Sequence, residues 1–398
     1  MRSEFSAKTI RARRAALAAL AVTVYRADLA AEPLRLRADA IAESRAPAGL
    51  VVLQGEDRGR WLDAEALVWT GTRNDATGDV MVLSVRLREP HGLGEVRGGR
   101  FVIATGAIRP VQIDGVSALV RAPSGTSAEA FGGMPVVPRF GDRAYDWVAG
   151  GRVAQTIGSK ASVGLSYVQR RDRANVANEE AGADVAFLPA PWLDVAARGA
   201  YDLIDPGLAD ATASAAARSK DVRVELFAAQ RSPSRLLPAT SLFSVLGDYP
   251  SRQLGSTVRW NAAPRLDLLV SGAVQSVGDG TGGNAWVRAN LRLDDRGAGT
   301  VGGELRRNDV ATAKWTGARA IVTQALGAGF RYSTELEVAV PDDPRGRGSV
   351  WPWGLIALSW RSKAGWEVAS AVEAASTPEH RYETTALARV SRSFEVSP

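Results

Sequence analysis

The chain of 398 residues has no cysteine and only two histidines. The absence of thiols excludes a disulfide framework and a cysteine-ligated metal site. His91 and His380 stand far apart in the sequence, and no serine lies in a nucleophile elbow, so neither a histidine metal site nor a Ser–His–acid triad is indicated. We therefore expect no catalytic residue, no metal, no cofactor and no enzymatic activity.

Long apolar runs are also missing. After the first 30 residues, no uninterrupted stretch reaches the length of about 18 residues that a transmembrane helix needs. The N-terminus does contain a shorter apolar run, residues 15–25, which follows five basic residues and precedes the small residues Ala30 and Ala31. This order predicts a cleaved secretory signal over residues 1–31. The alternative is an amphipathic or buried N-terminal helix.

A large charge of one sign is the third absence. The full chain carries a formal net charge of +6, but residues 1–31 hold six basic and two acidic residues, so their removal leaves +2. The remaining chain shows no basic stripe of the kind that nucleic-acid binding requires. We expect no nucleic-acid partner.

What the chain does contain is a repeated alternation of apolar and polar residues. Units of about 10 to 13 residues alternate in this way and end at Gly, Pro, Asp or Asn. In residues 331–340, Leu336, Val338 and Val340 fall on one face, and Glu335 and Glu337 fall on the other. The same sorting is found in the following stretches: 79–89, 222–231, 285–294 and 366–373. The pattern predicts β-strands with one apolar and one charged face.

The length of these units favours lipid as the partner of the apolar face. They are about twice as long as the strands of a soluble sandwich. They match the length of roughly 9 to 11 residues that a tilted strand needs to cross a bilayer. Closure of the sheet is also obligatory in lipid, because unpaired backbone groups find no water there. The sequence thus predicts one all-β domain over residues 32–398, a transmembrane antiparallel up-and-down β-barrel. A repeat near 20 residues gives about 16 to 20 strands, with 18 the best estimate.

In such a barrel the charged face lines the lumen, where rings of arginine and carboxylate select ions and solutes. Alternatively, these charges form salt-bridge ladders that only stiffen the wall. The candidate lumen-lining or constriction residues are Arg86, Arg88, Arg223, Glu225, Arg231, Arg235, Arg252, Arg288, Arg292, Glu335, Glu337 and Glu367.

Two irregular stretches are candidates for a constriction. Residues 232–253 are the longest segment without alternation and are flanked or occupied by Arg231, Arg235 and Arg252. Long loops without alternation are often functional, so this stretch could fold into the lumen or form an ordinary extracellular loop. Residues 132–147 are the second candidate, with a surface loop or a periplasmic turn as the alternatives.

The signal, the alternating units and stretches such as GRFVIATGAIRPVQIDGVSALV resemble those of bacterial outer-membrane β-barrels of the porin type. The resemblance implies a location in the Gram-negative outer membrane and passive diffusion of small polar solutes through a charged lumen. It also implies outer-membrane lipids and the barrel-insertion machinery as partners, and it leaves homo-oligomerisation open. The alternatives are a non-conducting barrel, plugged by its loops, that serves as an assembly or surface scaffold, and a soluble, secreted all-β protein.

Overall fold

The computed structural model describes residues 34–44, 48–58, 61–72, 76–108, 110–136, 146–172, 175–232, 251–278, 280–310, 313–344, 348–376 and 382–396. Within these ranges the regular structure consists of β-strands. No helix long and apolar enough to cross a membrane occurs in this part of the chain. The predicted signal, residues 1–31, lies outside the described residues.

The described residues form 22 strands. The first eleven are β1 Leu34–Glu43, β2 Ala48–Arg58, β3 Leu62–Thr72, β4 Ala76–Arg88, β5 Gly94–Ile103, β6 Val111–Arg121, β7 Thr126–Pro135, β8 Trp147–Ile157, β9 Ala161–Asp172, β10 Asn175–Ala190 and β11 Leu193–Asp202. The second eleven are β12 Gly207–Arg218, β13 Val222–Arg231, β14 Ser251–Ala263, β15 Leu266–Val277, β16 Gly280–Arg292, β17 Gly299–Val310, β18 Ala313–Gly327, β19 Phe330–Pro341, β20 Trp351–Arg361, β21 Trp366–Ala375 and β22 Glu383–Val396.

These strands form one closed antiparallel barrel. Each strand pairs with the next along the chain, and β1 pairs with β22 from Leu34 opposite Val396 to Glu43 opposite Leu387. The predicted fold class, an antiparallel up-and-down barrel, is confirmed in its closed all-β form. The predicted number of strands, 18 within a range of 16 to 20, is wrong, because the barrel has 22.

The strand number was underestimated because several connections are very short. Only Pro191 and Trp192 separate β10 from β11, and only Pro264 and Arg265 separate β14 from β15. Strand β7, with the sequence TSAEAFGGMP, also carries a glycine pair and a terminal proline that make it resemble a turn. The repeat is therefore shorter than 20 residues, and more strands fit into the same chain.

The two faces of the wall differ as the alternation predicts. Residues that pair directly across strands share a face, so the register extends each assignment around the barrel. Residues 104–108, which follow β5, contact Gly182 and Asp184 on β10, although β6 to β9 lie between β5 and β10 in the wall. Only a path through the interior makes this contact, and Asp184 lies on the ion-paired face, so that face is the inner one.

The outer face is apolar. Leu226, Leu305 and Leu336 are each 58 or 59% exposed there, and most charged residues of this face lie near the strand ends. Near the end of β22, Arg392 faces outward, but its guanidinium lies 4.7 Å from the ring of Trp366 and 5.9 Å from that of Phe394. Cation–π contacts of this kind shield an outward charge.

The two ends of the barrel are unlike each other. Every connection from an even-numbered to an odd-numbered strand is short, residues 293–298 being the longest of them, whereas those from odd to even strands include residues 136–146 and 232–250. We call the first the short-connection end; it also holds the N-terminus of β1 and the C-terminus of β22. Outward-facing aromatic residues gather near it: Phe187, Trp260, Phe330, Trp360, Trp366 and Phe394.

One interruption of the wall occurs between β4 and β5. Their pairing stops at Leu83 and Arg100, although β5 continues to Ile103. Gly99, with a φ of 119°, marks the point of departure, because a side chain there would collide with the Leu83 carbonyl. Beyond Arg100, β5 pairs with β6 but no longer with β4, so β5 and β6 separate from β4 together.

Candidate functional site

The inner wall of β16 to β19 carries a branched set of ion pairs. Glu304 on β17 is 7% exposed and accepts hydrogen bonds from Arg288 on β16 and from Arg306 on its own strand. Arg288 also lies 5.4 Å from the ring of Trp286. Antiparallel pairing brings these groups together, since Arg288 is directly opposite Glu304 in the register.

The same set continues onto β18 and β19. Arg306 Nη2 lies 3.4 Å from Glu337, and Arg319 lies 2.5 Å from Glu335 and 4.0 Å from Glu337. Arginine and carboxylate thus alternate around this sector of the lumen. Because the guanidinium is planar and always charged, such pairs persist at any physiological pH.

A second set lies on β3 to β5. Asp63 is 8% exposed and lies 2.5 Å from Arg86 and 2.8 Å from Arg88. Glu95 on β5 lies 3.6 Å from Arg86 and 3.8 Å from Arg88. Two cations therefore face two carboxylates on this part of the inner wall.

The register places most of the sequence-predicted residues on the inner face, but it does not bring them into one ring. Those on the inner face are Arg86, Arg88, Arg223, Glu225, Arg231, Arg288, Arg292, Glu335, Glu337 and Glu367. Several of them have nearby partners: Arg223 lies 3.1 Å from Glu225, Arg361 lies 2.7 Å from Glu367, and Arg231 lies 3.9 Å from Asp210.

The prediction that Arg252 lines the lumen is wrong. Strand β14 begins at Ser251, so Arg252 shares the outer face with Leu254 and does not face the lumen. Arg235 and most of the stretch 232–253, expected as a constriction, lie outside the described residues. In the stretch 132–147, β7 ends at Pro135 and β8 begins at Trp147, and residues 137–145 lie outside the described residues as well.

The interior holds a segment that the sequence did not single out. Residues 104–108, here called the inward segment, follow β5 at the long-connection end and are buried at Thr105, Ala107 and Ile108. Side chains of Phe101, Ile103, Ile108, Val111, Ile113, Phe131, Val148 and Val168 form an apolar cluster beside it. Because these strand residues lie on the inner face, the cluster fills part of the lumen near β5 to β9.

The seat of the inward segment is built from small residues and one ion pair. A side chain at Gly182 would come within 2.7 Å of Ala107 Cβ and of Ser166 Oγ. Beside it, Arg152 on β8 donates to Asp184 on β10 at 2.9 and 2.5 Å. Glycine is required at position 182 because the segment packs directly against the backbone of β10.

Polar side chains of β5 and β6 form hydrogen bonds to each other and to β4, next to the point where the inward segment begins. Arg100 donates to Asp114 at 2.6 and 2.9 Å and to the Val80 carbonyl at 2.6 Å, and Gln112 donates to the Met81 carbonyl. These bonds bridge the interruption between β4 and β5. The sequence signal for this region is the apolar inner face of β5 and β6, at Phe101, Ile103 and the facing Val111 and Ile113, which a wall with a wet inner side does not need.

The connections that the structure describes contain no catalytic arrangement. His91 lies in the exposed turn after β4, with Nδ1 2.5 Å from Glu89, and His380 lies outside the described residues. Among the described residues, no group of three or more His, Asp or Glu side chains could hold a metal ion. In the connection after β19, hydrogen bonds from Arg307 hold the pKa of Asp342 below its ordinary value.

Comparisons with known proteins agree with this architecture. No family model and no curated protein matches the chain. A chain of the E. coli P pilus tip assembly intermediate PapC-PapD-PapK-PapG has a TM-score of 0.58 at 11% identity, over 93% of this chain and 62% of that one. The copper transporter OprC has a TM-score of 0.57 at 12% identity, over 93% of this chain and 82% of OprC.

A third solved structure, the outer membrane protein OpdK from Pseudomonas aeruginosa, covers 91% of this chain and 98% of its own at 11% identity, with a TM-score of 0.40. That score is too low to support an argument. At these identities the likeness concerns the fold alone. The chain shares a closed β-barrel fold with these proteins.

Proposed function

We propose that this protein is a channel of the Gram-negative outer membrane through which small polar and charged solutes diffuse passively. The observation that carries the proposal is the division of one closed wall into an apolar outer face and an ion-paired inner face. Barrels of 16 to 18 strands, roughly, already enclose an aqueous channel, and this barrel has 22.

The outer face supports the membrane location. Its exposed leucines and valines suit contact with acyl chains, and the aromatic residues near the short-connection end suit the interface between hydrocarbon and water. By analogy with other barrels, the short-connection end faces the periplasm. The same proposal includes a cleaved signal over residues 1–31, the insertion machinery as a partner during assembly, and outer-membrane lipids around the barrel.

The inner face supports permeation without covalent chemistry. Guanidinium and carboxylate groups on β16 to β19 and on β3 to β5 provide fixed charges of both signs along the wall. Such charges polarise the lumen and favour solutes that exchange hydration for contacts with them. They also stiffen the wall, so the two readings of these residues are compatible.

Reconstitution into planar lipid bilayers tests the proposal. The purified barrel should give stepwise ionic conductance, and neutral sugars of graded size should permeate proteoliposomes up to a cut-off. Heat-modifiable migration in gels establishes that each preparation contains the folded barrel. A folded barrel that gives no conductance steps in repeated bilayers would rule out the channel.

A plugged, non-conducting scaffold is the second candidate. The inward segment and the apolar cluster favour it, because they occupy interior volume on one side of the barrel. This reading predicts a folded barrel that fractionates with outer membranes and remains electrically silent. A soluble secreted protein, the third candidate, would appear in the soluble fraction and would not require detergent.

A further inference from the structure

A cavity of about 440 Å³ lies beside the inward segment, on the inner wall of β10 to β13. Two neighbouring rungs of the sheet supply its lining. Asp184, Arg198, Thr212 and Ala229 are consecutive register partners in one rung, and Ala196, Ser214 and Phe227 are partners in the next. Gly106 of the inward segment forms one border. The volume lies within the range of small-molecule sites.

The charge of this cavity is positive. Asp184 is neutralised by the two hydrogen bonds from Arg152. Arg198 is exposed, and its guanidinium donates to the Thr212 hydroxyl at 3.3 Å. It forms no ion pair with any residue that the structure describes. An arginine that faces water beside a hydroxyl, without a carboxylate of its own, is available to an anionic group.

The apolar part of the cavity is flat. Phe227 is opposite Gly255 in the register, and a side chain at Gly255 would come within 2.6 Å of Phe227 Cζ. The ring therefore extends over the backbone of β14 and lies along the wall. Together with the methyl groups of Ala196 and Ala229, it offers a shallow apolar surface next to the guanidinium of Arg198.

From this arrangement we propose that the cavity binds small organic anions that carry a flat apolar body. Arg198, Thr212 and Ser214 bind the anionic oxygens, because guanidinium and hydroxyl donors suit a planar or tetrahedral oxyanion. Phe227 and the alanines contact the apolar body by stacking and burial. The proposal rests on the channel function, since it makes this cavity a binding site for permeating solutes beside the inward segment.

Binding is measured on the detergent-purified full chain by isothermal titration calorimetry, with benzenesulfonate as the probe. Wild type should bind it saturably, and it should bind methanesulfonate and benzyltrimethylammonium at least about tenfold more weakly. Arg198→Gln should weaken benzenesulfonate binding about tenfold or more, and Phe227→Ala should weaken it severalfold. Each variant is first shown to be folded by heat-modifiable migration.

The control variant is Arg223→Gln, an inner-face arginine of β13 that lies outside the cavity beside Glu225. It should leave benzenesulfonate binding unchanged. Equal binding of methanesulfonate, or equal losses in Arg198→Gln and Arg223→Gln, would overturn the proposal. Bilayer recordings test the channel function separately. Conductance without benzenesulfonate binding would contradict only the proposed binding site, and binding without conductance would contradict only the proposed channel.

Discussion

Glu304 shows how single residues organise the inner wall. It is nearly buried on its strand, yet it accepts hydrogen bonds from two arginines on two strands. A carboxylate in this position neutralises charge that would otherwise face the lumen. The loss of one such group should change the balance of charge more than the loss of an exposed partner at the barrel rim.

In the proposed channel, we expect Glu304→Gln to increase selectivity for anions, because Arg288 and Arg306 keep their charge without this carboxylate. Stability should fall by about 1–3 kcal/mol, below the value for a fully buried pair, since both guanidiniums remain partly solvated. Reversal potentials in a salt gradient and denaturant unfolding measure the two effects.

The matched control is Glu395→Gln, whose partner Arg35 lies 3.3 Å away in an exposed pair. It should change neither the ion selectivity nor the stability. A cation-selective shift in Glu304→Gln would contradict the prediction.

Asp342 makes the connection after β19 sensitive to acid. Its pKa is lowered by hydrogen bonds from Arg307, at 2.6 and 2.5 Å, so the tether contributes stability above the unfolded pKa and is lost as pH falls through the lower folded pKa. A spin label at Pro344→Cys should stay restricted at pH values near about 3.9, the ordinary aspartate value, and become mobile only below it. With Asp342→Asn the label should be mobile throughout. Release of the wild-type label well above that pH would refute the role of the ion pair.

The individual inner-face residues were largely predictable from alternation alone. Arg86 and Glu335 lie where parity placed them, because one-residue steps along a strand change the face. Arg252 was misplaced because nothing local revealed that β14 begins at Ser251. The pairing of Arg152 with Asp184 joins β8 to β10, and a single sequence carries no signal for such a contact.

Among the described connections, the inward segment follows a path unlike that of a plain barrel connection. It leaves β5 at the long-connection end and packs against the backbone of β10. From the sequence, residues 132–147 and 232–253 are the candidates for a constriction, because long irregular stretches with prolines often form functional loops. The inward segment is short and apolar, so those criteria could not find it.

Gly182→Val should displace the inward segment, because the new side chain would occupy the space of Ala107 and Ser166. Overpacking should cost about 1–3 kcal/mol, and single-channel conductance should fall, because a segment pushed off the wall extends further into the lumen. The control is Gly303→Val, at a strand glycine whose added side chain would meet no atom within 4 Å. An unchanged conductance in a folded Gly182→Val barrel would show that the segment does not limit permeation.

At the scale of the whole molecule, closure depends on the pairing of the first and last strands. The register between β1 and β22 runs over ten residue pairs, and Ala40 is opposite Val390 on the outer face. The architecture followed from strand length and from the cost of open edges, both of which are visible in sequence. The strand number did not, because the assumed repeat of about 20 residues is longer than the true one, which connections of two residues shorten.

Because the chain has no cysteine, closure can be tested with one introduced disulfide. Directly opposed residues of an antiparallel pair have Cα atoms about 4.5–5.5 Å apart, which a disulfide can span. Ala40→Cys combined with Val390→Cys should therefore crosslink on oxidation, and the product should keep altered gel mobility after heating without reductant. Ala40→Cys with Val163→Cys, on a distant strand, should form no intramolecular crosslink. Equal crosslinking of both pairs would argue against the register.

The bridge at the interruption between β4 and β5 has a mechanical consequence for the barrel. If β4 slid by one residue past its neighbour, Arg100 would lose the Val80 carbonyl and Gln112 would lose the Met81 carbonyl, while the guanidinium, 7% exposed, would have no water to replace them. Strand sliding changes the shear of a barrel and hence its cross-section. Two side chains thus oppose sliding of β4 and help to keep the cross-section of the barrel constant.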